Sequence, residues 1–112
     1  MTAVREAFEE TGIKLSDKCL LGELDDLHPR TPVLPPVVVR PFVFGLPGRP
    51  SVTPSSEVAG HLWVSLSELR GGAGRTTVKI RGENAEVRAY LAGPHAVWGM
   101  TERILRQFLG LI

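Results

Sequence analysis

The chain has 112 residues, with 13 Lys and Arg against 12 Asp and Glu, for a formal net charge of +1. That length sustains one domain at most, and an apolar fraction of 43% is ordinary for a folded globular protein. Near-neutral, intermixed charge argues against a nucleic-acid-coating surface and against any acidic or basic tail. Cys19 is the only cysteine, which excludes an intrachain disulfide and fits a reducing cytosol. It reads as a small buried hydrophobe rather than a nucleophile, since no partner motif surrounds it. Met1 leads straight into a charged amphipathic segment rather than a secretory signal, and no window approaches about 18 uninterrupted apolar residues. The expectation is a soluble cytoplasmic protein with neither membrane nor nucleic acid as partner.

The first predicted element is a helix through Thr2-Ala3-Val4-Arg5-Glu6-Ala7-Phe8-Glu9-Glu10-Thr11, stopped by Gly12. Steps of three and four put Glu6, Glu9 and Glu10 on one face, beside Arg5. Like charges at such spacing repel by about a few tenths of a kcal/mol per pair, and a hard divalent cation with oxygen ligands is a natural offset. A solvated acidic face is the plain alternative. Ala3, Val4, Ala7 and Phe8 cover the other side and are expected to bury it against a core.

Cys19 to Leu24 is a short strand candidate in which Gly22 marks a bulge. Asp25 to Pro36 carries Pro29, Pro32, Pro35 and Pro36, a density that rules out helix and central strand. It is read as an irregular loop of the kind that often contacts ligands. Val37 to Phe44 is the strongest strand, with Pro41 implying an edge or bulge. A second proline- and serine-rich loop covers Gly45 to Ser56. Glu57 to His61 then leads into Leu62-Trp63-Val64, read as a short buried strand.

Ser65, followed three residues later by Glu68, has the form of a capping box opening a brief helix. Gly71 to Gly74 reads as a flexible loop. Thr76 to Ile80 and Glu86 to Leu91 flank Gly82-Glu83-Asn84 as a β-hairpin. Ile104, Leu105, Phe108 and Leu111 recur at helical spacing in an amphipathic terminal helix over Glu102 to Leu111. Trp63 and Trp98 sit in apolar patterns and are expected in the core. His28, His61 and His95 have no ligand spacing relative to one another, so a histidine metal site is not expected.

Arg5-Glu6-Ala7-Phe8-Glu9-Glu10-Thr11-Gly12-Ile13 resembles the second half of the Nudix box: Arg-Glu, an apolar residue, any residue, Glu-Glu, any residue, Gly, an apolar residue. Every fixed position of that half is matched. The first half of the box would fall before Met1, so the chain looks like a Nudix hydrolase that starts inside its own motif. Glu57-Val58 followed by Leu62 to Leu69 resembles the acidic loop, strand and short helix that follow the box in many Nudix enzymes. Val97-Trp98-Gly99-Met100-Thr101 resembles the run that opens the C-terminal helix in the coenzyme A diphosphatase branch.

The resemblance implies a single partial Nudix domain over residues 1–112, a Nudix-type α/β/α sandwich with a mixed sheet that lacks its N-terminal strands. It implies hydrolysis of a pyrophosphate bond in a nucleoside diphosphate derivative, coenzyme A or its thioesters above all, with Mg²⁺ or Mn²⁺ as cofactor. Glu9 and Glu10 match the metal-binding pair, and Glu6 a further ligand. Arg5, on the same helix turn, is expected to orient these carboxylates, with contact to substrate as the alternative. Glu57 is a candidate general base or extra ligand from the facing loop, with an exposed loop acid as an equal alternative. Arg30 and Arg40 flank the first proline-rich loop and are candidates to grip substrate phosphates, although exposed arginines commonly have no such role. The family's coenzyme A recognition motif lies upstream of the box, so a Nudix enzyme of another nucleotide stays open. So does a binding module or inactive remnant of the fold, whether a fragment, a mis-started chain or a fold completed by a partner; a homodimer is a separate open expectation.

Overall fold

In the computed structural model, which describes residues 2–28 and 38–112, the described residues form three α-helices and two antiparallel sheets, a mixed α/β architecture. It divides into two units, Met1–Leu62 and Trp63–Ile112. No helix among the described residues is long and apolar enough to cross a membrane.

In the first unit, α1 spans Thr2–Thr11 and ends where the sequence pattern requires. Gly12 takes φ +74, a left-handed conformation that glycine adopts without a Cβ penalty, and its N–H closes the last turn on the Phe8 carbonyl at 2.9 Å. The apolar side of α1 departs from expectation. Ala3, Val4 and Ala7 are half-buried, but Phe8 is 47% exposed and no residue of the helix is buried. The Phe8 ring is covered instead by the Lys14 ammonium, 5.7 Å from its centroid.

A single turn of 3-10 helix, Asp17–Cys19, precedes β1 (Leu20–Glu23), which pairs antiparallel with β2 (Phe42–Phe44). Register slips between Leu20 and Gly22, so Leu21 is the extra residue of the bulge anticipated at Gly22. Its side chain lies over Gly45, where an added Cβ would sit 3.1 Å from Leu21 Cδ1. The strand expected over Val37 to Phe44 is cut short at Pro41, which has no N–H to continue the ladder. Pairing resumes beyond it only as a bridge, with Leu27 and Val39 exchanging N–H to carbonyl bonds of 2.7 and 2.8 Å. Leu24 and Leu27, the buried residues of this unit among those described, lie along that pairing. Val37 and Pro29 to Pro36, in the first proline-rich loop, lie outside the described residues.

In the second unit, α2 (Leu66–Gly71) begins at Ser65, whose Oγ accepts from the Glu68 N–H at 3.1 Å and donates to Glu68 Oε1 at 3.2 Å. Leu62 to Val64 is not a strand. No ladder partner runs beside it among the described residues, and only Val64 joins the core, while Trp63 is 45% exposed. The glycines after α2 are not a loop either. Gly72 caps the helix through bonds to the Glu68 and Leu69 carbonyls, and β3 starts at once, spanning Ala73–Ile80.

β3, β4 (Glu83–Ala92) and β5 (His95–Trp98) form an antiparallel meander. The first turn is Arg81-Gly82, with φ of +53 and +82, the two positive angles of a type I′ hairpin. It lies one residue before the turn read from the sequence. The second turn, Gly93-Pro94, adds β5, a strand the sequence reading did not include. Two-residue connections allow only antiparallel neighbours, which accounts for the β3-β4-β5 meander; β1 and β2, joined by a much longer segment, also pair antiparallel, so the described strands make two antiparallel sheets and not one mixed sheet.

α3 spans Met100–Leu111, entered through Gly99 at φ +71. Leu69, Tyr90 and Leu109 are the buried centre, with Val64, Val97, Leu105 and Phe108 packed on them. The helix face is therefore turned relative to the expected one: Leu109 is buried, and Leu111 is 70% exposed. Trp98 is 42% exposed. Alternation along β5 sends it to the face opposite Val97, away from the helices.

Two substitutions test these devices. A Cβ at Gly72 would collide with the Leu91 carbonyl, to which this backbone is already tied by the Leu91 N–H to Gly72 carbonyl bond. Gly72→Ala is expected to lower stability by about 3 kcal/mol in a urea melt. Arg81→Asn, placing a residue that tolerates positive φ in the first turn, is expected to raise it by about 1 kcal/mol in the same measurement.

Candidate functional site

The helix-borne acids are all solvent-facing: Glu6, Glu9 and Glu10 are exposed along α1. Arg5 Nε meets Glu9 Oε1 at 3.7 Å, one turn on, so the arginine engages one of the carboxylates it was expected to orient. Both side chains are more than 60% exposed, and such a surface pair contributes about 0.3–0.5 kcal/mol at most.

What assembles a site is the end of α1. A helix leaves its last carbonyls without partners, and the second proline-rich loop supplies them. The Thr53 N–H donates to the Thr11 carbonyl at 2.8 Å, and the Ser55 N–H to the Glu10 carbonyl at 2.9 Å. Beyond Ser55 the chain turns: the Val58 N–H donates to the Ser55 carbonyl at 3.0 Å, and the Glu57 N–H to Ser55 Oγ at 3.4 Å. Glu57 is thereby carried to α1, and a cleft of about 290 Å³ is lined by Glu9, Glu10, Ser55, Ser56 and Glu57.

Three carboxylates from two segments thus share one concave surface. Glu6 is not among the residues lining it. Ser55 and Ser56 were not singled out in the sequence, although their position next to Glu57 was the available signal. The donor set is chemically suited to Mg²⁺ or Mn²⁺, which take oxygen ligands and retain several waters beside one or two carboxylates. Among the described residues, no three Asp, Glu, His or Cys side chains are arranged to hold a metal ion between them.

The two arginines expected at phosphates separate. Arg30 lies outside the described residues. Arg40 is bound as a fork to Asp26, with Nε donating to Oδ1 at 2.8 Å and Nη2 to Oδ2 at 3.2 Å, and Glu23 lies 3.9 Å from Nε. The backbone explains the match. Leu24 bonds to Pro41 and Leu27 to Val39, so Asp26 comes opposite Arg40. A planar guanidinium holding a carboxylate through two parallel bonds is already saturated on that edge, so a phosphate would compete with Asp26 for it. The signal in the sequence was two acids and an arginine bracketing one loop.

The Arg40 hydrogen bonds hold the Asp26 carboxyl below the usual carboxylate range, against a smaller opposing effect of desolvation; the charges of Arg40 and His28 act in the same downward direction. A carboxyl with a lowered pKa in the folded state stabilises the fold above its unfolded pKa, about 3.9, and ceases to do so as pH falls through the lowered value. Asp26→Asn is accordingly expected to lower the melting temperature at pH 7, with the gap to the unaltered chain closing as pH drops below about 4. A gap of constant size across that range would show that the ion pair contributes nothing.

In comparisons with known proteins, no family model matches the chain, and neither a curated protein nor a solved structure does.

Proposed function

We propose that this chain is a Nudix-type pyrophosphohydrolase dependent on a divalent metal, acting on coenzyme A or its thioesters through a Nudix-type α/β/α fold. The reading rests on the half-box Arg5 to Ile13, and its chief structural support is the cleft that Glu57 shares with Glu9 and Glu10. The Trp98-Gly99-Met100-Thr101 run, which bridges the end of β5 and the start of α3, favours the coenzyme A branch.

In this reading Glu9 and Glu10 would hold Mg²⁺ or Mn²⁺, and Glu6, which does not line the cleft, would reach the ion only through metal-bound water. When bound, the metal neutralises phosphate oxygens and makes water more acidic. Arg5 positions Glu9 through their ion pair. Glu57 takes a proton from the attacking water, which adds to one phosphorus of the diphosphate; the P–O bond to the other phosphate breaks. The products are 3′,5′-ADP and a 4′-phosphopantetheine. Ser55 and Ser56 border the same cleft and offer hydroxyl donors to phosphate oxygens.

Incubation of the chain with coenzyme A and Mg²⁺ or Mn²⁺, read by chromatography, is expected to release 3′,5′-ADP and to stop on chelation. Glu57→Gln is expected to lower kcat by about a hundredfold or more, as loss of a general base does, and Glu10→Gln to abolish metal-dependent turnover. Absence of product, or equal turnover in Glu10→Gln, would sink the proposal.

A further inference from the structure

A cleft of about 450 Å³ opens between α3 and the sheet of the second unit, and three arginines line it: Arg75 on β3, Arg88 on β4 and Arg106 on α3. The hairpin register sets Arg75 directly opposite Arg88. Residues opposed in this way share a face, and like charges there are unfavourable. The same face, two residues further along, carries the Ala73 and Tyr90 pair, and Tyr90 both belongs to the core and lines the cleft.

Two acids offset part of the charge. Glu86 Oε1 meets Arg75 Nε at 3.6 Å, and Glu102 Oε2 meets Arg106 Nε at 3.3 Å. Glu102 is only 6% exposed; its place in the first turn of α3, one turn before Arg106, suits both the helix dipole and an i,i+4 pair. It fixes Arg106 at the cleft wall. Arg88 has neither an ion-pair nor a side-chain hydrogen-bond partner among the described residues. Three guanidiniums against two carboxylates leave one positive charge over. Each guanidinium also carries five N–H donors, which a single carboxylate does not saturate.

We propose that this cleft binds a phosphate-class oxyanion. Arginine donors on both the sheet and the helix suit a tetrahedral anion, with oxygens facing several directions, better than a planar carboxylate that one fork already satisfies. A bound oxyanion would relieve the Arg75–Arg88 repulsion. The cleft has no residue in common with the one at the end of α1, so its test and that of the hydrolase reading are independent.

Inorganic phosphate titrated into the ¹⁵N-labelled chain at constant ionic strength should give saturable amide shifts confined to residues 73–75, 88–90 and 102–106. Arg88→Gln should weaken binding at least about tenfold. Lys79→Gln, which removes the same charge from the same sheet face but outside the cleft, should change it less than about twofold. Shifts that are diffuse or do not saturate in the unaltered chain overturn the proposal by themselves, whatever the variants do. Equal weakening in both variants also overturns it.

Discussion

The candidate catalytic arrangement depends on two backbone hydrogen bonds. The carbonyls of Glu10 and Thr11 are left over when α1 ends at Gly12, and they accept from the Ser55 and Thr53 N–H groups. Without those bonds Glu57 is an acid on a long loop; with them it borders the same cleft as Glu9 and Glu10. Satisfying orphan helix carbonyls is a generic requirement of folding. Here it also recruits a loop of otherwise irregular structure into a site. Gly12 contributes twice, by turning the chain at positive φ and by leaving room for Thr53, whose Cβ would lie 3.2 Å from a Cβ at that position.

The second unit is organised around another glycine. Gly72 ends α2, opens β3 and admits the Leu91 backbone in the space a side chain would take. That close approach joins α2 to the sheet beneath it, so that Leu69 reaches Tyr90, while α3 brings Leu109 to the same point. The core so made is small, and other contacts reinforce it, among them Arg70 donating to the Ile112 carbonyl at 2.8 Å. The meander that carries Tyr90 depends on short turns, and their positive φ angles are met by Gly82 and Gly93 at no cost and by Arg81 at some cost.

Charge is distributed unevenly despite a net value of +1. Acids dominate the end of α1 and the turn after Ser55, whereas arginines dominate the wall between α3 and the sheet. Between these extremes, Asp26 and Arg40 neutralise each other across the first strand pair. Whole-chain charge says nothing about such local clustering, because it sums over every position whatever its neighbours.

What the sequence determined by itself was local. The helix from Thr2 with its stop at Gly12, the bulge near Gly22, the break at Pro41, the Ser65 cap and the hairpin after Ile80 all follow from the conformational limits of one or two residues, and those limits act wherever the chain goes. The tertiary structure alone decided which faces are covered. Phe8, Trp63 and Trp98 have core-like patterns yet stay over 40% exposed, because burial needs an opposing element and periodicity cannot supply one. It also decided which charges meet. Glu9 and Glu10 were legible as a helical pair, but their neighbour Glu57 is 47 residues beyond Glu10 in the chain, and the Asp26–Arg40 fork and the Arg75–Arg88 opposition depend on strand register. Register is set by hydrogen bonds between segments far apart in sequence, so it is read only from the folded chain.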